Sequence, residues 1–286
     1  MKYDVTKANR LGNRKVNQDR MGIVETEHAV MLVVADGLGG YAGGEVAAET
    51  VVECAIRHFN SAQMPIKNPG VLINEIIMRA HREVLALTNR TPPLKAKSTC
   101  VICLIIDGFA HWGHLGDSRL HVIRDNAIYK KTIDHSRVEE LFKLGKITEK
   151  EKESHPDKNL ITRCVGSETK RPQPTIAVGL PLQTNDVILL SSDGFWSPLS
   201  EKELVEGVKL KNFSDAIENL ISDAEETSYP KADNISVVGF RWLSDNARKK
   251  TAPKKKDPFK QTVKDIENVD KELDDIVEKL KKIVGK

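Results

Sequence analysis

Five aspartates in this chain could do chemistry together, and two of them stand where a carboxylate is awkward unless something compensates it. Two close apolar runs: Val30-Met31-Leu32-Val33-Val34-Ala35 ends on Asp36-Gly37, and Val187-Ile188-Leu189-Leu190-Ser191-Ser192 ends on Asp193-Gly194. An ionised acid at the tip of a buried strand is costly unless a cation or several hydrogen-bond donors answer it. Meeting the arrangement twice points to a metal site. Three further acids, Asp19, Asp117 and Asp233, fall at turns or strand edges, in Asn17-Gln18-Asp19, Gly116-Asp117-Ser118-Arg119 and Asp233-Asn234-Ile235-Ser236. None of the five has a histidine within two positions, so the donors are oxygens, which favours Mg²⁺ or Mn²⁺ over zinc. A lone Asp-Gly pair would be read as a turn. Beside an acid, glycine also lets backbone approach an ion closely.

The elements that must carry these acids follow from periodicity. Strands are predicted over residues 2 to 8, 20 to 26 and 29 to 36, with a polar loop around Gly12 to Gln18. Two helices follow, on stripes through Val46, Ala47, Val51, Cys54, Ala55 and Phe59, then Leu72, Ile76, Ala80, Val84 and Leu87. Residues 98 to 132 return to strands broken at Asp107-Gly108 and Asp125-Asn126, which predicts one antiparallel meander. Residues 134 to 166 turn polar and helical, a flap-like surface subdomain beside the site. Strands resume at 175 to 178 and 186 to 191. Ser200 with Glu203 forms a capping box, a helix runs through Phe213, Ile217, Leu220 and Ala224, and Asn234 to Arg241 closes as a strand. Strands and helices in blocks, rather than alternating singly, predict an α+β fold: a four-layer α-β-β-α sandwich of two mostly antiparallel sheets flanked by helix pairs.

At 286 residues the chain can bury one substantial core, here placed at 1–243. A net charge of +3 is too small to make nucleic acid or an anionic membrane the main partner. The sequence shows neither a transmembrane segment nor the apolar stretch of a signal peptide, so a cytoplasmic location is expected. Cys100 and Cys103 have redox or zinc spacing, but they lie in an apolar strand where residues three apart face opposite ways. Residues 244–262 read as a Pro- and Lys-rich linker. Over 263–286, Ile266, Val269, Leu273, Ile276, Leu280 and Ile283 form an a/d stripe, an amphipathic helix that would dock a helical partner or self-associate.

Taken in order, Asn17-Gln18-Asp19, Asp36-Gly37-Leu38-Gly39-Gly40 leading into Gly44-Glu45-Val46-Ala47, Gly116-Asp117-Ser118-Arg119, Asn159-Leu160-Ile161-Thr162-Arg163, Ser192-Asp193-Gly194 and Asp233-Asn234-Ile235-Ser236 resemble the metal-dependent protein phosphatases of the protein phosphatase 2C family, its bacterial members above all. The resemblance covers roughly residues 2 to 241. It implies phosphoserine and phosphothreonine hydrolysis in proteins, opposing a Ser/Thr kinase, at a binuclear Mn²⁺ or Mg²⁺ centre. Asp36 would bridge both ions, the Gly37 carbonyl would join one of them, Asp193 and Asp233 would hold one ion and Asp19 the other. Asp117 would help hold a third, weaker ion, and Arg14 would grip the phosphate with a planar fork. Two cations so placed acidify a bridging water and steady the attacking and leaving oxygens.

Leu38 stands where eukaryotic relatives often carry a proton-donating histidine, so the general acid is unassigned. His135 and His155 belong to the flap-like segment and read as surface-loop histidines, while Arg119 and Arg163 read as structural. Other phosphatase chemistries fail on the letters. No cysteine has an arginine six positions later, and neither Asp36 nor Asp193 has an acid two positions on. The glycine-rich segment after Asp36 lacks the Gly-Lys-Ser/Thr ending of a nucleotide loop. The rival reading is a weakly catalytic phosphatase-fold scaffold or phosphoprotein-binding module acting through its C-terminal helix; retention of all five acids argues against it.

Overall fold

A computed structural model describes residues 1–38, 43–90, 93–168 and 172–244. The linker and amphipathic helix expected at 244–262 and 263–286 lie outside the described residues, apart from Ser244. Ten strands form two five-stranded sheets in which every neighbouring pair is antiparallel. One sheet is ordered β1 (Lys2–Arg10), β10 (Ile235–Ser244), β9 (Val187–Ser191), β6 (Arg119–Arg124), β7 (Ala127–Lys131). The other runs β2 (Asp19–Glu25), β3 (Ala29–Asp36), β4 (Cys100–Ile106), β5 (Phe109–Leu115), β8 (Thr175–Pro181).

Strand alternation explains the layering. In β3, Val30, Leu32 and Val34 face the layer between the sheets, where they meet Ile188, Leu190, Val238 and Phe240. Met31, Val33 and Ala35 face the other way, onto α1 (Gly44–Ser61) and α2 (Pro69–Ala86). The stripes that predict these helices largely match the faces they bury: Ala47, Val51, Cys54, Ala55 and Phe59 in α1, Ile76, Ala80 and Val84 in α2, with Val46 and Leu72 only half-buried and Ile73, outside the stripe, buried beside Ile76. The helical cover of the sheet that holds β1, β10 and β9 is α5 (Asp193–Trp196), α6 (Glu201–Gly207) and α7 (Phe213–Ser228). The Ser200–Glu203 capping box is formed. Cys100 and Cys103 fall in different cores, as opposite strand faces require, and all four cysteines are free.

The expectation of one meander over residues 98 to 132 is corrected. β4 and β5 belong to one sheet, while β6 and β7 belong to the other. The turn Gly116-Asp117-Ser118 carries the chain across, after which Arg119 to Ile123 pairs with β9. Alternating residues look alike in either sheet, so the sequence does not announce the crossing. Between β7 and β8 the chain makes an excursion through α3 (Arg137–Lys143) and α4 (Glu149–Ser154). Among the described residues, no helix is long and apolar enough to cross a membrane.

Candidate metal centre

The acids singled out in sequence come together at one end of the sandwich. Asp19 opens β2 and pairs directly across the ladder with Asp36, which closes β3. Asp193 follows β9 and Asp233 precedes β10, neighbouring strands of the other sheet. Asp117 sits on the turn that passes from sheet to sheet. Asp36, Gly37, Asp117, Asp193 and Asp233 line a cleft of about 670 Å³ together with Arg14, Gln18, Leu38, Lys97 and Asn234. Asn159, Leu160 and Ile161, at the returning end of the excursion, form its far wall. Asp19 lies just behind, 3% exposed, its Oδ2 accepting a 2.7 Å hydrogen bond from Ser192 Oγ.

Crowded acids in a dry place hold their protons. Burial, then the charges of Asp193 and Asp233, push Asp19 up to about 7, against the pull of hydrogen bonds from Ser192 and Ser236. Burial, then Asp233, pushes Asp193 up to about 6. Asp36 rises well above the carboxylate range through burial and then Asp19, Asp193, Asp117 and Asp233, and Asp117 rises through burial and then Asp193 and Asp134. Each therefore feels the charge of at least one of the others, and Asp36 that of all four, which is the electrostatic signature of one site.

Among the described residues, no three acids, histidines or cysteines already stand as a closed ligand set. The fit to divalent cations rests on donor chemistry. Asp19 Oδ1 and Asp117 Oδ1 are buried with no hydrogen-bond partner, a costly state that a cation would relieve. Every candidate donor is a hard oxygen, as Mn²⁺ and Mg²⁺ prefer. The Gly37 backbone is fixed by its N–H donating to Gln18 O at 3.0 Å.

The remaining expected residues divide. Arg14 is at the site, its side chain 54% exposed, with Nη2 2.5 Å from Asp233 Oδ2. An exposed pair of this kind is worth only about 0–1 kcal/mol, so it leaves the guanidinium free to exchange partners. Arg119 is structural as read: it grips Asp134 with two bonds of 2.8 Å and lies over the Trp196 ring. Arg163 is exposed and reaches Gln173 O at 3.5 Å. His155 stays in its loop, accepting the Asp157 N–H. His135 is corrected: it is 8% exposed, stacked on His114, and outside the cleft lining. A histidine inside a polar stretch looks solvated until the strands that cover it are known.

Sequence reasoning gave no role to the layer that orients these acids. Ser192 Oγ both donates to Asp19 and accepts from Ser236 N–H. Asn17 Oδ1 accepts the Asp19 N–H, and Thr99 Oγ1 accepts the Asp36 N–H. Asn234 Oδ1 accepts from Gln18 N–H while its Nδ2 donates to Leu11 O, joining both ends of the Arg14 loop to the start of β10. The available signal was polar residues set inside or just after apolar strand runs, at Ser192 and Ser236.

Residues 8–233 match the sequence profile described as Protein phosphatase 2C. Serine/threonine phosphatase stp of Listeria monocytogenes is 30% identical over 230 residues, covering 79% of this chain and 90% of that protein. The serine/threonine phosphatase of S. agalactiae has a similar structure, with TM-score 0.75 and 26% identity over 85% of this chain and all of that one. The catalytic domain of the phosphatase PstP in complex with two manganese ions gives TM-score 0.69 over 85% of this chain and 99% of that chain; at 24% identity the likeness is one of fold.

Proposed function

This chain belongs to the protein phosphatase 2C family and is a protein-serine/threonine phosphatase, and on that premise we propose that it works through a binuclear Mn²⁺ or Mg²⁺ centre built on Asp36. One observation carries the proposal: four carboxylates line one cleft with a fifth, Asp19, buried beside them, and two buried oxygens of the set, on Asp19 and Asp117, have no hydrogen-bond partner. PstP, similar in fold, holds two manganese ions.

In this reading Asp36 and the Gly37 carbonyl would help hold the ions, with Asp193 and Asp233 holding one, Asp19 the other, and Asp117 a third. Divalent ions, when bound, supply a readily deprotonated water and neutralise charge building on the phosphoryl oxygens. The protein's own residues do the rest. Arg14 leaves Asp233 for two oxygens of the phosphate, setting phosphorus in line over the acids. Ser192, Asn17 and Thr99 hold Asp19 and Asp36 so that no carboxylate must reorganise as charge develops. The leaving serine or threonine oxygen takes its proton in a cleft whose described lining contains no histidine, in keeping with Leu38. The substrates are phosphorylated proteins, opposing a Ser/Thr kinase.

The test is turnover of a phosphothreonine peptide with Mn²⁺, with chelator, and in Asp193→Asn. We expect chelation to abolish activity and Asp193→Asn to lower kcat by about 10² or more while the chain stays folded. Undiminished turnover in chelator, or in the variant, would sink the metal mechanism.

A further inference from the structure

His135 joins three parts of the molecule. Its N–H donates to Gly116 O at 2.9 Å and its Nδ1 accepts the Gly116 N–H at 3.2 Å, a reciprocal pair across the residue that precedes Asp117. Its carbonyl accepts the Thr162 N–H at 2.8 Å, and the neighbouring Ser136 bridges Ile161 while Arg137 N–H donates to Leu160 O. Both stems of the 134–166 excursion are thus closed beside His135, and Leu160 and Ile161 go on to line the cleft. Its Nε2 lies 2.9 Å from Thr175 Oγ1 on β8.

The ring has no freedom left. Gly116 N–H can only donate, so Nδ1 must be the bare nitrogen and Nε2 must carry the proton toward Thr175. The imidazole lies flat on His114, centroids 4.5 Å apart and planes 3° from parallel, and His114 Nε2 is 2.8 Å from Ile133 O. Burial first, then His114, Arg163 and Lys143, push His135 down to about 3, so the ring is neutral and cannot act as a proton donor to substrate near neutral pH. Gly116 itself is at φ +113, and a Cβ there would meet Thr99 at 2.8 Å, so the turn needs this glycine and cannot be locked by a side chain of its own. On the other side Asp117 O accepts from Trp196 Nε1 at 3.1 Å.

We propose that His135 is a positioning residue for Asp117: its imidazole and backbone clamp the Gly116–Asp117 turn to the stems of the excursion, so that the cleft wall at Leu160–Ile161 and the Asp117 carboxylate are held as one unit. The clamp follows from the geometry alone; its consequence for cation binding rests on the metal-centre reading above. A substrate pressing on the wall then acts on the acid through one residue.

The test pairs His135→Asn, whose Oδ1 can replace Nδ1, with His135→Gln, which reaches toward Thr175 and leaves the Gly116 N–H unanswered. Without added metal, hydrogen exchange at the Gly116 amide should quicken about tenfold in His135→Gln and stay within about threefold of wild type in His135→Asn. In Mn²⁺ titrations by calorimetry, His135→Gln should weaken the same binding step as Asp117→Asn, with His135→Asn close to wild type. Equal exchange in the two variants would overturn the clamp. So would a wild-type imidazole protonated at Nδ1 in long-range nitrogen-proton spectra, a measurement that needs no variant to fold. A wild-type chain that binds no Mn²⁺ would refute the metal centre, while the exchange comparison would still decide the clamp.

Discussion

At the scale of single residues, Asp36 and Asp193 were legible because a carboxylate closing an apolar strand clashes with its setting, and two such clashes in one chain have few explanations. Buried histidines were not. His121 on β6 is 2% exposed, and burial, then Arg119 and Lys131, push it down to about 3; burial brings His111 to about 4. Unfolded, both titrate near 6.5, so below that pH the unfolded chain binds more protons than the native one. The share of stability that rests on these two rings is therefore full above about 6.5 and lost as pH falls toward 3 or 4, opposite in sign to the share from the raised aspartates. His121→Gln should remove the share of that loss due to His121, so its urea midpoint relative to wild type should rise as pH falls from about 6.5 to 4; a difference independent of pH would show that the burial of His121 carries no such share.

Elements were mostly legible, their partnerships less so. The stripes of α1 and α2 and the Ser200 cap are local patterns that need no knowledge of the rest of the chain. The passage from one sheet to the other at Asp117 is invisible locally, since β5 and β6 alternate alike and only pairing with β8 or β9 separates them. The Arg14 loop shows what such pairing does. Asn13 N–H donates to Ala232 O, Ala232 N–H to Asn13 Oδ1, and Gly12, at φ +60, presses so close to the carbonyl of Asp233 that any Cβ would collide with it. Gly12→Ala should cost about 1–3 kcal/mol, from strain at positive φ and from the collision. The loop must retreat from Asp233, taking Arg14 with it, so KM for a phosphopeptide should rise. Urea denaturation and steady-state kinetics check the two halves; a Gly12→Ala chain with wild-type stability and KM would contradict the tie.

Across the described residues, three apolar layers are built between α1–α2, the two sheets and α5–α7, from Ala8 through Trp242. The fold class was readable because strands and helices come in blocks; the stacking of the blocks is a property of burial. We expect a chain ending at Ser244 to melt as the full chain does and to hydrolyse para-nitrophenyl phosphate equally well, with scanning calorimetry and initial rates as the readouts. A fall in melting temperature of more than about 4 °C, or roughly 1–2 kcal/mol at this size, would mean that the remaining residues contribute to the core. Sedimentation of the two chains separates self-association from docking to another partner.

Asp19 and Asp36 hang from one sheet, Asp193 and Asp233 from the other. The gap between them is therefore measured out by a hydrocarbon spacer, with Val34, Leu190 and Val238 as its uppermost rungs. Sheets so stacked rest about 10 Å apart, a distance fixed by side-chain volume rather than by charge. In the proposed centre, selectivity among cations of different radius would in that sense be inherited from aliphatic filling: a methylene added or removed among those rungs would reset the jaws like a shim, without touching a single proposed ligand.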